Sequence, residues 1–160
     1  MKKTVCFLMA ALMLLVGTAC EKEPEKEPSF PAEVTTQALL DSGAYSEQLE
    51  ELDLDIAVMM FWLNGDVTEY EGSKVFYSTG ATSEIAAVIS IRDESKVPEV
   101  EQALKTWVES QIEAEKDYRP AEVPKLENAI IEARGFTVLL AVANDADKAI
   151  EAVETVVVEN

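Results

Sequence analysis

The chain has 160 residues, with 13 basic and 31 acidic side chains, no histidine and two cysteines, for a formal charge of −18. Without histidine, and with no cysteine after Cys20, zinc sites of the usual ligands, histidine-based triads and structural disulfides are excluded. The acidic excess argues against nucleic acid, whose phosphates require basic side chains, and against adhesion to anionic lipid.

The first residues, Met1-Lys2-Lys3 followed by "TVCFLMAALMLLVG", have the basic and apolar regions of a secretory signal peptide. The apolar run is too short to cross a bilayer, which needs about 20 residues. Small residues in "GTAC" precede Cys20, the setting for lipoprotein processing, with cleavage before the cysteine and lipid on its sulfur. Gly17 stands where such a site usually has leucine. The alternative is ordinary cleavage after Ala19, which would leave Cys20 as a lone thiol in an exported chain. Residues 1–19 therefore read as a lipoprotein signal peptide and Cys20 as the lipidated anchor. Taking Lys2 and Lys3 from the 13 basic residues leaves 11 against 31 acidic ones in the processed chain. Residues 20–31 hold the anchor and "EKEPEKEPSFP", a charged, proline-spaced stalk that would hold a domain roughly 30 Å from the membrane.

Residues 32–160 are expected to form one domain. "AEVTTQALLDSG" predicts a helix with Val34, Ala38 and Leu39 inward, stopped at Gly43. "DLDIAVMMFWLNGD" fits both periods: Leu54, Ile56, Val58, Met60 and Trp62 alternate, while Ile56, Met59, Met60 and Leu63 share a helical face. A helix capped by Asp53 and ended at Asn64-Gly65 is the preferred reading. "KVFYS" and "EIAAVISIR" read as strands joined by "TGATS". Ser95 is expected to cap a long helix reaching about Asp117, with Val97, Val100, Leu104, Trp107 and Ile112 as its stripe and Pro98 in its first turn. "YRPAEVP" is a loop. "AIIEA" and "FTVLLAVA" form a hairpin turning at Arg134-Gly135. Asn144 or Asp145 then caps a last helix with Ala146, Ala149, Ile150, Val153 and Val157 inward.

The expected fold class is α+β: a four-stranded antiparallel sheet in ββαββα order with an additional N-terminal helical segment. Both faces of the inner strands are apolar. Ile85, Ala87, Ile89 and Ile91 oppose Ala86 and Val88, and Val138, Leu140 and Val142 oppose Leu139, Ala141 and Ala143. Two helices are expected to cover one face, leaving the other to segment 32–70 or to a second subunit; the segment, apolar and otherwise unpacked, is the preferred cover.

No phosphate loop, nucleophile elbow or cofactor motif occurs. Tyr70 and Lys74 have the Tyr-x-x-x-Lys spacing of short-chain dehydrogenases, but Gly72 interrupts the motif and no dinucleotide fingerprint precedes it. "DLD" and "NGD" lack calcium-loop spacing, and "NDAD" reads as a helix cap. No metal site is expected. Carboxylate pairs, such as Glu84 with Asp93, are the catalytic chemistry that composition leaves open.

Together, "VFYSTGATSEIAAVISIRDES", "YRPAEVPKLENAII" and "GFTVLLAVANDADKA" resemble a family of uncharacterised Gram-positive bacterial lipoproteins, the domain of unknown function numbered 4358. The likeness spans roughly residues 33–155 and is most specific at "STGATSEIA", Ser78 to Ala86. The family typically continues the turn with Ala-Glu-Glu-Ile; Ser83-Glu84-Ile85 keeps one of the two acids. The resemblance implies an exported domain tethered to the outer face of the cytoplasmic membrane and a helix over 53–63. It carries no catalytic residue and no cofactor.

The expected function is a non-enzymatic binding or assembly module at the cell envelope, joined to the membrane by its lipid anchor and contacting an envelope protein or wall component, not nucleic acid. Its expected contact surface is Tyr77, Ser78, Thr79, Gly80, Thr82 and Glu84, with Tyr118 and Pro120 of the neighbouring loop, because polar loops beside rigid elements concentrate function. The alternative is a carboxylate-dependent hydrolase or lyase acting on wall glycan or peptide.

Overall fold

In the computed structural model, residues 28–80 and 82–157 are described. The expected signal peptide, Cys20 and most of the stalk lie outside the described residues. Ten elements follow one another: α1 (Ala32–Asp41), β1 (Glu50–Glu51), α2 (Leu54–Met60), β2 (Lys74–Tyr77), β3 (Ile85–Ser90), α3 (Val97–Tyr118), α4 (Val123–Glu127), β4 (Ile130–Arg134), β5 (Thr137–Val142) and α5 (Ala146–Val157). The five strands form one antiparallel sheet in the order β1-β2-β3-β5-β4. The α+β reading stands, but the four-stranded ββαββα order needs two corrections. A two-residue edge strand, β1, pairs with β2 through Glu50–Tyr77 and Glu51–Phe76, too short for a period-2 signal. Part of the "YRPAEVP" loop begins a short helix, α4, with Pro124 in its first turn, where a missing N–H costs nothing.

Of the three inner strands, β3 and β5 are buried on both faces. Ile85, Ala87, Ile89, Val138, Leu140 and Val142 enter one core with Val97, Val100, Leu104 and Trp107 of α3 and with Ala57 and Val58 of α2. The opposite residues, Ala86, Val88, Leu139 and Ala141, enter a second core with Leu39 of α1 and Ala149 and Val153 of α5. The long helix and the last helix therefore lie on opposite faces, not on one, and the N-terminal segment supplies a helix to each. Phe61 caps the first core with an edge-on contact to Trp107, ring centroids 5.1 Å apart.

Segment 53–63 is helical, and its end differs from the expected Asn64-Gly65. Trp62, at φ +55°, takes the left-handed position. The Trp62 amide donates to Met59 O and the Leu63 amide to Val58 O, the paired bonds of a Schellman ending. Leu63 and Val58 lie in the same core, the apolar contact that fixes this ending one turn early. Asp53 precedes α2 without a side-chain cap bond.

Helix phases also differ from expectation. In α1, Thr35, Thr36 and Leu39 are buried and Val34 is exposed. Thr36 Oγ1 donates to Ala32 O at 2.7 Å, so a hydroxyl can face the sheet while remaining paired within its own helix. In α5, Ala149, Val153 and Val156 face inward and Ile150 outward, a spacing of four and three; the Val157 side chain lies outside the described residues. Asp93, not Ser95, makes the cap before α3: its carboxylate accepts from the Ser95 amide at 3.0 Å and opens the short 3-10 turn Glu94–Lys96. Asp145 Oδ1 accepts from the Lys148 amide at 3.2 Å, making it the cap of α5.

Candidate functional site

The β2–β3 connection carries the "STGATSE" stretch, and its described residues are held from three sides. From the N-terminal segment, Glu47 Oε1 accepts from Ser78 Oγ at 2.5 Å and from Thr82 Oγ1 at 2.7 Å. Those two hydroxyls hold the Glu47 carboxyl below its ordinary range. Within the loop, Ser78 Oγ accepts from the Thr82 amide at 2.9 Å, and the Ser78 amide donates to Glu84 O at 3.0 Å.

The second brace comes from α3. Glu115 and Arg119, one helical turn apart, form a two-toothed pair at 2.9 Å and 2.5 Å. That pair pulls the Glu115 carboxyl down and pushes the Arg119 guanidinium up. Arg119 also donates to Gly80 O at 3.2 Å, tying the loop crest to the end of the helix.

The third brace is α4. Glu122 accepts from the Ser83 amide at 2.8 Å. Lys125 donates to Glu84 at 2.9 Å and lies 3.2 Å from Glu122. Glu84 itself is 0% exposed. It also accepts from the Ser46 amide at 2.9 Å and the Ser46 hydroxyl at 2.6 Å, so both oxygens of the buried carboxylate have partners. Burial opposes the charge on Lys125, but the bonds to Glu84 and Glu122 outweigh it and raise the ammonium above its ordinary value.

The expected contact residues thus divide. Ser78 and Glu84 are buried, Tyr77 and Thr82 partly so, while Thr79, Gly80, Tyr118 and Pro120 are exposed. Gly80, at φ +128°, needs glycine's backbone freedom to turn the crest. The bracing residues Ser46, Glu47, Glu115, Arg119, Glu122 and Lys125 were not singled out from sequence. Two of the pairs carried a signal, Glu115 with Arg119 at i,i+4 and Glu122 with Lys125 at i,i+3; the Ser46-Glu47 contacts cross more than thirty positions and carried none.

Beneath the loop is a cavity of about 160 Å³, floored by Met60, Tyr77, Ile85 and Trp107 and edged by Gln111 and Arg119. It is large enough for one apolar side chain or a similar small group. A larger, shallow depression of about 600 Å³ lies at the other end of the sheet, between residues 29–33, 68–72, 90–92 and the β4–β5 turn. The chain enters the fold there: Phe30 N donates to Thr137 Oγ1 at 2.9 Å and Phe136 N to Ser29 Oγ at 2.8 Å.

The remaining sequence candidates do not assemble. Tyr70 is buried and donates to Asn64 O, whereas Lys74 pairs with Glu33 and Glu51; the two make no common site. Glu84 and Asp93 stand beyond opposite ends of the six-residue β3, some 20 Å of strand, so that pair does not converge. Asp66 Oδ1 is used by the Thr68 amide. Among the described residues, no helix is long and apolar enough to cross a membrane.

The fold and its braced loop define a small α+β domain built on one antiparallel sheet with a core on each face. The family described as "Domain of unknown function (DUF4358)" matches residues 46–143, and the chain belongs to it. No curated protein and no solved structure matches the chain.

Proposed function

We propose that the protein is an exported lipoprotein of a Gram-positive cell, anchored through Cys20 to the outer face of the cytoplasmic membrane, and that its domain is a non-enzymatic binding or assembly module of the cell envelope. The anchor reading rests on the leader and on "GTAC" before Cys20. One observation carries the binding reading: the described residues of the β2–β3 connection, 78–80 and 82–84, are held from three sides at the end of the sheet opposite the entering chain. A loop fixed in advance loses little entropy when it engages a partner. Thr79 and Gly80 at its crest, with Tyr118 at 81% exposure beside it, form the contact surface, while Ser78, Thr82 and Glu84 hold that surface in shape. The cavity beneath it accepts an apolar group from an envelope protein or wall component.

Crosslinking in intact cells, comparing the anchored chain with Cys20→Ser and with Thr79→Ala/Tyr118→Ala, tests this. Enrichment of one envelope component that requires both the anchor and the two exposed residues is expected. Retention of every captured component by the double variant would remove this surface as the site.

A further inference from the structure

A second surface, independent of the braced loop, lies on the outward side of α2. Ile56 and Met59, three apart on the helix, and Trp62, just past its end, are 44%, 66% and 53% exposed, so a short helix shows apolar side chains on both sides. Trp62 is also the one non-glycine residue with positive φ among the described residues. A bulky side chain is disfavoured in that conformation, and its half-exposed indole recovers only part of the burial a tryptophan usually gains.

Charge decides what fits there. Asp53 and Asp55, at the start of the same helix, are exposed and have no cationic partner among the described residues. With a formal charge of −18, a second copy or an anionic bilayer would be repelled. The complementary occupant presents apolar side chains and lysine or arginine on one face. We infer that exposed Ile56 and Met59, with Trp62 past the helix end and Asp53 and Asp55 at its start, form a docking site for a basic amphipathic segment of a partner protein.

The probe is an 18-residue peptide of leucine and lysine with leucines at helical spacing, compared with a peptide of the same composition whose order destroys that face. It is titrated into the full chain carrying Cys20→Ser. Trp62 is exposed and Trp107 buried, so acrylamide quenching reports on Trp62, and Trp62→Phe verifies the assignment. Shielding of Trp62 by the patterned peptide, with affinity about tenfold above that of the scrambled one, is the expected result. Ile56→Ser/Met59→Ser, both at exposed positions, should abolish that preference, and Asp53→Asn/Asp55→Asn should weaken binding and its salt dependence. Equal binding of the two peptides, or shielding that survives Ile56→Ser/Met59→Ser, would overturn the inference in favour of charge alone. Equal shielding by phosphatidylcholine vesicles, or by raising the protein concentration, would overturn it in favour of a lipid surface or self-association. None of these outcomes bears on Thr79 and Tyr118, so the braced loop stands or falls separately.

Discussion

Lys125 Nζ lies 2.9 Å from Glu84 Oε1, and that carboxylate is entirely shielded from solvent. The pair joins a short helix to the root of the β2–β3 connection, and the same ammonium reaches Glu122, which holds the Ser83 amide. One lysine therefore links the start of β3 to the loop that precedes it.

Removing one partner from a buried ion pair leaves an uncompensated charge. Lys125→Met should destabilise the domain by about 3 kcal/mol, measured as a lowered urea midpoint with an unchanged slope. Glu84→Gln combined with Lys125→Met should recover part of that loss, because the amide oxygen can still accept from Ser46 and the fully buried charge is gone, while Glu122, buried and also paired with Lys125, keeps its charge.

At the α2 terminus the strain itself can be measured. Trp62→Gly and Trp62→Ala remove the same indole, but only glycine accepts φ +55° without penalty. The glycine variant should be the more stable of the two by about 1 kcal/mol. Equal urea midpoints would show that the left-handed backbone costs nothing there.

Acid should loosen the loop. Glu47, through the Ser78 and Thr82 hydroxyls, and Glu115, through Arg119, are held below the ordinary glutamate value of 4.5. A lowered folded-state value contributes stability that is present above the unfolded value and lost as pH falls through the folded one. The urea midpoint of the wild type should therefore fall as pH drops below about 4.5, and Glu115→Gln should make that decline shallower while lowering the midpoint at neutral pH.

The alkaline side has the opposite sign. Burial, and then the charge of Glu84, raise the Tyr45 phenol above its ordinary value of 10.0, and Tyr45 Oη donates to Ile85 O at 3.2 Å. A raised folded-state value contributes stability that is present below the unfolded value and lost as pH rises above it. Compared with Tyr45→Phe, the wild type should show one extra phenolate at 295 nm that develops only as the fold opens above about pH 10. A matching extra phenolate in the still-folded chain near pH 10 would contradict this.

Much of the fold was legible because alternation and helical spacing are local. The two apolar faces of residues 85–91 and 138–143 correctly divided the side chains between the two cores. Which helix covers which face was not legible, since crossing from β3 through α3 to the far hairpin leaves no trace in spacing. A two-residue strand such as β1 has no period to read. The Trp62 ending was hidden because glycine at 65 looks like the stop, whereas the contact of Leu63 with Val58 ends the helix sooner. At the site, the loop was visible in "STGATSE", but Ser46, Glu47 and Lys125 meet it only after folding, which is why Ser78 and Glu84 read as surface and are in fact interior.

The most direct measurement of the central claim is photo-crosslinking in intact cells from the anchored chain, with the crosslinker placed in turn at Thr79, at Tyr118 and at Phe136 near the entering chain. Capture of the same envelope component from positions 79 and 118, and not from 136, is the predicted result. Capture from 136 alone, or with equal yield from all three, would contradict the assignment of the braced loop as the contact surface.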